Sequence, residues 1–441
     1  MTTTSAVGFL ALLVALLFGL FNNPYAALVV FVALPALFVL GLLLIPFGMW
    51  LEHRRLVLHP DAAREWFVID FRSATTRRRA VMFIALTAVN AVIVLVAGYG
   101  AIHSMESPSF CGQACHEPMH PQFTAWQNAP HSKVACVDCH IGEGGRAFVK
   151  YKMNGMRQLY HVVTRQIPRP IPGVADLRPA MEVCGTCHWS GKGFGDVVRV
   201  KREYAEDETN TETSTFLQML VGGPGAPTRS GRAIHWHADP RVRIDFIYTD
   251  EERQTIPFVK YTDAQGTVRE YAAEGTTPEQ LAKGTWRTMD CVDCHNVVAH
   301  RVAASPEQAV DAALAAGRID RGLPFVRREA VRLMKSTYQD SAEAARVIDE
   351  ELRKFYTSRG RAVDAPVTGA VSELQTIYSR NVFPVMKVTF GTYPDNLGHT
   401  TSAGCFRCHD GSLAAKDGTT INSDCEYCHK QIEPAADPAA R

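Results

Sequence analysis

Twelve cysteines and the histidines that follow them are the residues of this 441-residue chain whose types and spacing could do chemistry. Five cysteine pairs have the pattern C-x-x-C-H, and one more has the longer pattern C-x-x-x-C-H. We number the six in chain order as motifs 1 to 6: Cys111/Cys115/His116, Cys136/Cys139/His140, Cys184/Cys187/His188, Cys291/Cys294/His295, Cys405/Cys408/His409 and Cys425/Cys428/His429. No cysteine lies outside a motif, so the sequence predicts no structural disulfide.

The pattern predicts covalent attachment of one haem c at each motif. Two thioether bonds reach the two vinyl groups on one edge of a porphyrin, and the adjacent histidine lies under the ring and binds the iron. A zinc site would need two cysteine pairs converging on one metal, and it would not require a histidine directly after every pair. The sequence therefore predicts six covalently bound haem c groups with the six motif histidines as first iron ligands.

A low-spin haem iron needs a second axial ligand. Eight histidines outside the motifs lie at or beyond the end of the last apolar run, which is more than six irons require. Ligands from outside the motifs are expected at His131, His161, His235, His237, His300 and His399, with Met119 as an alternative to His116 at motif 1 and His120 as an open candidate. Two histidines on one iron suit electron transfer because both oxidation states keep the same coordination. His235 and His237 could serve two different irons.

Three apolar runs precede motif 1 and predict membrane helices over about 6–21, 26–49 and 81–102. The first is short enough to be either a full span or a re-entrant segment. The stretch 51–80 carries seven arginines and the turn at 22–25 carries none, so the positive-inside rule places 51–80 in the cytoplasm. The chain after about His103 is then on the outer side, where haem c is attached. The prediction is a multi-pass protein of the bacterial inner (cytoplasmic) membrane with a periplasmic haem domain.

The rest of the chain is divided by its motif spacing and composition. A three-haem domain is predicted over 104–190, a β-rich insertion over 191–290, a helical three-haem domain over 291–430 and a tail over 431–441. Helices are expected at about 305–316, 324–338 and 341–357, and a hairpin from Phe258–Tyr261 and Val268–Tyr271. The predicted fold class is mostly α, with little regular structure around the haems and a small β insertion. The net charge of +1 gives no global field that would indicate a nucleic-acid partner.

The stretch Ser109–His140 resembles the opening of the NapC/NirT family of membrane-anchored quinol dehydrogenases. The resemblance is carried by motif 1, by Pro130-His131-Ser132 and by the residues Ala135 to His140 around motif 2. Later segments, including Ile234–His237 and Asn381–Lys387, are similar to larger inner-membrane members of that family, the ImcH type. The resemblance implies oxidation of a quinol from the membrane pool, with menaquinol expected, and electron delivery to a periplasmic redox protein or oxidoreductase subunit. Membrane lipid is the other expected partner.

This chain departs from the usual family pattern, which has one membrane span and four haems. The family places its quinol pocket beside the first haem, with a lysine and an acidic or amide residue on the helix after the second motif. The resemblance therefore implies quinol-site roles for Lys152 and Gln158. Proton acceptance is expected from His103, at the end of the third apolar run, with Glu106 and Lys152 as alternatives.

Two other functions stay open at this point. A terminal multihaem reductase for nitrite or a sulfur oxyanion would require a haem with an open coordination position. A passive electron-relay subunit of a larger respiratory complex would carry the same motifs without oxidising quinol itself. Whether the chain is an enzyme in its own right depends on which of these functions it has.

Overall fold

The computed structural model of the protein describes residues 34–58, 72–114, 116–142, 144–173, 177–188, 195–223 and 233–433. The apolar run predicted at 6–21 lies outside the described residues, as do parts of the second run, of the arginine-rich stretch and of the tail. The chain divides into two compact units, Met1–His116 and Glu117–Arg441.

The first unit contains two long helices, α1 (Leu34–Leu58) and α2 (Ala74–Glu106). Of the described residues, only α2 forms a helix that is both long enough and apolar enough to cross a membrane. It has 33 residues and extends beyond the predicted 81–102 at both ends, through 74–80 before the apolar run and 103–106 after it. Its large apolar side chains are exposed along its length, as in Phe83 and Leu95. A multi-pass arrangement stays a prediction.

In the second unit, more of the described residues lie in helices than in strands. Its helices are α3 (His116–Gln127), α4 (Cys136–His140), α5 (Gly145–Val163), α6 (Ala180–Val183), α7 (Pro278–Lys283), α8 (Cys291–Cys294), α9 (Pro306–Ala315), α10 (Val326–Lys335), α11 (Ser341–Thr357) and α12 (Ala365–Asn381). Shorter 3-10 turns occur at Cys184–Thr186, Ile234–Ala238, Pro384–Met386, Gly404–Arg407 and Cys425–Tyr427.

Helices α9 to α12 form the largest apolar core of the protein. Three of them confirm the helices predicted in this stretch, and α12 was not predicted. The side chains of Ser305, Asp340 and Asp364 each accept a hydrogen bond from a backbone N–H in the first turn of the following helix, which fixes where α9, α11 and α12 begin. The core is made of fully buried side chains that include Val310, Leu333, Ile348, Leu352 and Leu374.

The described residues also form two antiparallel sheets, of which the first contributes Tyr204 to this core and the second has an apolar cluster of its own. Their strands are β1 (Val197–Tyr204), β2 (Glu212–Met219), β3 (Arg243–Tyr248), β4 (Phe258–Thr262), β5 (Val268–Ala273), β6 (Thr285–Thr288), β7 (Leu413–Ala414) and β8 (His429–Gln431). The strand orders are β1-β2-β8 and β6-β3-β4-β5-β7. Strands β4 and β5 form the predicted hairpin, and the Asp263 side chain accepts hydrogen bonds from Gln265 and Thr267 in its turn.

The sheets hold parts of the cysteine motifs in place. In the first sheet, His429 of motif 6 pairs with Met219. In the second, β7 follows motif 5 and pairs with β5. Each sheet thus includes one strand from the last part of the chain. The division into a 191–290 insertion and a 291–430 domain stays a prediction.

Candidate functional site

Motifs 2 to 6 each form a single helical turn. A helical turn places residues three and four positions apart on one side of the backbone, so both cysteines and the histidine of a C-x-x-C-H motif face the same way. In motifs 3, 4 and 5 the backbone N–H of the histidine donates to the carbonyl oxygen of the first cysteine, at N···O distances of 2.7, 2.8 and 3.0 Å. The local fold therefore presents two thiols and one imidazole together, as haem c attachment requires.

Motif 1 has one residue more than the others, and the backbone there is wound differently. Residues Phe110–Ala114 form a π-helix, which has i→i+5 hydrogen bonds instead of the α-helical i→i+4. The wider turn matches a spacing in which the histidine follows the first cysteine by five positions. Cys115 and the side chain of His116 lie outside the described residues, so the placement of the complete motif stays a prediction.

Five pairs of imidazole rings face each other among the described residues of the second unit. Each pair joins one motif histidine to one histidine from outside the motifs. The ring centroids are 6.1 Å apart in His188–His131, 6.1 Å in His140–His300, 6.2 Å in His295–His235, 5.7 Å in His409–His237 and 6.1 Å in His429–His399. Motifs 2 to 6 are thereby each matched with a different outside histidine.

These distances fit two imidazoles that share one metal ion. A metal–imidazole nitrogen bond is about 2 Å long and the nitrogen lies roughly 1 Å from its ring centroid, which gives about 6 Å between centroids on opposite sides of one ion. Aromatic packing alone also brings rings to 4.5–7 Å. Packing does not explain why every pair combines one motif and one non-motif histidine. The residues present therefore fit iron ligation of haem c at motifs 2 to 6.

Backbone carbonyl groups orient several of these rings. The Nδ1 atom of His237 lies 2.7 Å from the carbonyl oxygen of Ile234, that of His409 2.7 Å from Asn422, and that of His300 3.1 Å from Gln122. A carbonyl can only accept, so Nδ1 carries the proton in each case. Nε2 is then left with its lone pair toward the facing ring, which is the tautomer that a metal ligand needs.

Burial keeps five of the paired histidines neutral. It lowers the pKa of each, and the facing histidine lowers the pKa of His140, His235 and His237 further. The five are His140, His235, His237, His295 and His300. A neutral imidazole is the form that binds a metal ion.

Several of the motif thiols are also held in the neutral form. Burial raises the pKa of Cys294 to about 11 and the pKa of Cys408 to about 12. Burial is likewise the largest cause of the raised pKa of the thiols of Cys139, Cys184, Cys291 and Cys428. A cysteine nucleophile requires a lowered pKa. The arrangement therefore does not favour thiolate catalysis at these positions.

Two motif cysteines, Cys187 and Cys425, differ from the rest in exposure. Both are exposed, whereas the other described motif cysteines are partly buried. Cys187 directly follows the short 3-10 turn Cys184–Thr186, where the Thr186 hydroxyl lies 3.8 Å from its sulfur. The sequence predicts the same haem-attachment role for all twelve cysteines. Haem attachment at Cys187 stays a prediction, and it depends on the motif and on the His188–His131 pair.

Direct contacts tie neighbouring motifs to one another. The Asp290 carboxylate, just before motif 4, accepts a hydrogen bond from the backbone N–H of Ala180, just before motif 3, at 3.1 Å. Gly404 has φ +49°, and a Cβ there would collide with the carbonyl group of Gly398. This close approach places His399, which faces motif 6, directly beside motif 5.

Comparison with known proteins agrees with this geometry. Residues 73–170 match the N-terminal region of the NapC/NirT cytochrome c family. The chain is 36% identical over 420 residues to the cytochrome c-type protein ImcH of Geobacter sulfurreducens, covering 93% of this chain and 82% of ImcH. The chain belongs to the NapC/NirT cytochrome c family. The resemblance noted from motifs 1 and 2 is thereby confirmed, and the protein is a membrane-associated multihaem c-type cytochrome of electron transfer. No solved structure matches it.

The residues expected at the quinol site lie on two helices of the cytochrome. His103 is exposed in the last turn of α2, where its ring stacks on Tyr99 with 6.3 Å between centroids. Lys152 and Gln158 both lie on α5, six residues apart and thus about 120° apart around the helix axis. They therefore point to different sides of α5, and their joint role at a quinol site stays a prediction.

The three other expected ligands lie on two helices, and their roles as iron ligands stay predictions. Met119 and His120 lie on α3, and the His120 ring meets Phe383 edge-on at 5.0 Å. His161 lies near the end of α5, with its ring 5.8 Å from Tyr160. Its Nδ1 atom is buried and has no hydrogen-bond partner among the described residues.

Sequence reasoning did not find the carbonyl groups that orient the rings, nor the role of Arg407. The carbonyl of Gln122 reaches His300 from a distant helix, and a backbone atom leaves no trace in residue type. Arg407 stands between the two cysteines of motif 5 and contacts motif 4. The one sequence signal for Arg407 is that a charged residue lies between the two cysteines of the motif.

Proposed function

We propose that this cytochrome carries six haem c groups, oxidises quinol at the outer face of the bacterial inner membrane and passes the electrons to a periplasmic acceptor. The observation that carries the proposal is the matching of motifs 2 to 6 with His300, His131, His235, His237 and His399. Two imidazoles on one iron leave no open position for a substrate. The geometry at these five motifs therefore favours electron transfer over a terminal reductase.

The cysteines of each motif would hold the haem covalently, and the histidine pairs would hold the iron from both sides. Bound haem supplies reversible one-electron oxidation and reduction at its iron. The carbonyl groups of Gln122, Ile234 and Asn422 fix the tautomer and the direction of His300, His237 and His409. The protein then contributes rigid ligand geometry that stays the same in both oxidation states.

A sixth haem at motif 1 is supported by the π-helix at Phe110–Ala114. A C-x-x-x-C-H motif wound as an α-helix would turn its histidine away from its first cysteine, and a π-turn compensates for the extra residue. The role of Met119 as an iron ligand at this motif is part of the proposal.

The surface of α5 supports access from the bilayer. Five exposed apolar side chains recur along it at positions i, i+4, i+7, i+11 and i+14: Val149, Met153, Met156, Tyr160 and Val163. The helix contains no acidic residue, and Lys150, Lys152 and Arg157 border the apolar face. An apolar face with basic borders is typical of a helix that lies in the surface of a membrane with anionic lipids. A quinol that leaves the bilayer along this face would meet Lys152 at its edge.

Release of two protons requires a base on the outer side. His103 is exposed at the end of α2, and its pairing with Tyr99 leaves the imidazole edge accessible. Arg77, Arg78 and Arg79 lie near the opposite end of the same helix. This distribution of charge supports a cytoplasmic start for α2 and a periplasmic position for His103.

Stopped-flow reduction of the full-length cytochrome in lipid nanodiscs by a menaquinol analogue tests the proposal. Six haems per chain by intact mass, and reduction of all the haems that are thermodynamically accessible to the quinol, are expected. A passive relay subunit would contain the same six haems and be reduced by dithionite but not by the quinol. That result would overturn quinol oxidation while leaving haem attachment intact.

A further inference from the structure

The turns of motifs 4 and 5 meet at one guanidinium group. Arg407, between the two cysteines of motif 5, donates from Nη2 to the carbonyl oxygen of Asp293, inside motif 4, at 2.5 Å. It also donates from Nη1 to the carbonyl oxygen of Arg253 at 3.0 Å and from Nε to that of Gly404 at 2.8 Å. The planar, rigid fork of arginine suits this role because it holds three acceptors in fixed directions.

The histidines that face motifs 4 and 5 join the same two motifs. His235 faces His295 of motif 4 and His237 faces His409 of motif 5, and both lie on the 3-10 turn Ile234–Ala238. Two residues span at most about 7 Å of chain, so the two histidines are held close together and would bind irons at neighbouring sites. Motifs 4 and 5 are thus linked in two ways. One tripeptide carries the two histidines that face them, and Arg407 connects their cysteine-bearing turns.

No carboxylate among the described residues contacts the guanidinium group of Arg407. Its acceptors among the described residues are all backbone carbonyl oxygens. The nearby Asp293 carboxylate is 2% exposed and is already paired with Arg287 at 2.6 Å and with Arg253 at 3.4 Å. A half-buried cation therefore lies where the cysteine-bearing turns of the two motifs meet.

We propose that Arg407 is a positioning residue that locks motif 4 to motif 5 and, through its charge, raises the reduction potentials of both haems bound there. The inference rests on the proposed haem attachment. A fixed positive charge disfavours the extra positive charge of the ferric iron, and a half-buried position weakens solvent screening. The reduction potentials of the two haems are thereby raised together, and an electron is stabilised on either of them.

A purely mechanical role for Arg407 makes a different prediction. If Arg407 only connected the two motif turns, its removal would change the stability and the haem content of the protein. It would not shift the reduction potentials of both haems in the same direction. The comparison of Arg407→Gln with Arg407→Lys separates the two, because lysine keeps the charge while losing the fork. Arg346→Gln is the matched control, since Arg346 is exposed on α11 and pairs with Glu350 far along the chain from any motif.

The experiment is a spectroelectrochemical titration of the full-length cytochrome and its variants in nanodiscs, resolved into one-electron components. His235→Met and His237→Met identify the components of motifs 4 and 5, because each introduces a methionine–iron charge-transfer band. In Arg407→Gln both identified components should move to lower potential, with the other four unchanged and six haems per chain by mass. In Arg407→Lys the potentials of the same two components should lie nearer to the wild-type values. Equal movement of all six components, movement in Arg346→Gln, or no movement would overturn the inference.

A second variant keeps the test decisive if Arg407→Gln does not assemble. Asp293→Asn removes the buried negative charge at the same junction and leaves Arg287 and Arg253 less compensated. The same two components should then move to higher potential. Six haems with the two components unmoved in Asp293→Asn would overturn the inference and leave the proposed haem attachment standing. A loss of haem from the wild-type protein would instead contradict the proposed function.

Discussion

The rings of His237 and His409 face each other with centroids 5.7 Å apart and with planes inclined at 87°. The Nδ1 atom of each ring lies 2.7 Å from a carbonyl oxygen, of Ile234 and of Asn422, so the perpendicular arrangement is anchored from both sides. The rings of His399 and His429, at motif 6, are inclined at only 25°. Neighbouring motifs thus hold their imidazoles in two clearly different orientations.

This difference predicts distinct magnetic signatures for motifs 5 and 6. Perpendicular imidazoles donate to two different iron d orbitals and leave them nearly equal in energy, which makes a low-spin ferric signal strongly anisotropic. Near-parallel rings separate the two orbitals and give an ordinary rhombic signal. Replacement His237→Ala should therefore remove one strongly anisotropic electron paramagnetic resonance signal and create one high-spin haem, whereas His399→Ala should remove one rhombic signal.

Trp236→Phe is the control for local disturbance, because Trp236 lies beside His237 and packs on Tyr261 without belonging to a histidine pair. It should keep all low-spin signals. Loss of a rhombic signal in His237→Ala, or no high-spin haem in either alanine variant, would contradict the ligand pairs.

The sequence identified which residues could bind iron but not how they pair. His131 lies close to motif 2 in the chain, yet its ring faces His188 of motif 3. His300 follows motif 4 and faces backward to His140 of motif 2. Spacing alone does not encode these choices, because they depend on how distant helices and turns pack together.

Local signals predicted some elements well and others not. Helix α11 begins directly after its capping residue Asp340 and carries a regular apolar face, so propensity and periodicity agree there. Helix α12 was missed because Val367, Thr368 and Gly369 in its first turns are weak helix formers. Burial of residues such as Leu374 in the core outweighs that local preference.

The core of α9 to α12 predicts a large cost for a cavity. Leu352 is fully buried there, so Leu352→Ala should lower the free energy of unfolding by about 2–5 kcal/mol. Denaturant unfolding followed by far-ultraviolet circular dichroism measures the change. Val385→Ala, at a side chain that is 57% exposed, should change it by less than about 0.5 kcal/mol. Similar values for both variants would show that the four helices do not form the main core.

The apolar face of α5 predicts a specific loss of quinol oxidation. Met156 is 65% exposed in that face, and Met156→Glu would place a charge where the proposed contact with lipid and quinol occurs. Quinol-dependent reduction should slow by roughly tenfold or more, equivalent to about 1.4 kcal/mol, with reduction by dithionite and haem content unchanged. Stopped-flow absorption in nanodiscs measures the rate.

Asn154→Glu is the matched control, because position 154 is also exposed but lies on another side of α5. The quinol should reduce the haems of this variant at close to the wild-type rate. Equal slowing in both variants would indicate that general charge on α5, and not its apolar face, controls the reaction.

The turn between β3 and β4 predicts one source of acid sensitivity. Burial alone would raise the pKa of Asp250, but hydrogen bonds from the backbone N–H groups of Gln254 and Thr255 outweigh it and lower the pKa below its usual value. The unfolded chain therefore binds more protons than the folded chain between the two pKa values. The stabilisation is present above the unfolded pKa of about 3.9 and is lost as the pH falls through the folded pKa.

Asp250→Asn should accordingly cost of order 1 kcal/mol at pH 7, and the difference from the wild type should shrink as the pH falls below about 4. Thermal or denaturant unfolding at pH 7, 5, 4 and 3 measures the difference. Glu252→Gln, at an exposed neighbour, is the control and should follow the wild type at every pH. A difference between Asp250→Asn and the wild type that stays constant from pH 7 to pH 3 would mean that the turn is stabilised by the shape of the side chain and not by its charge.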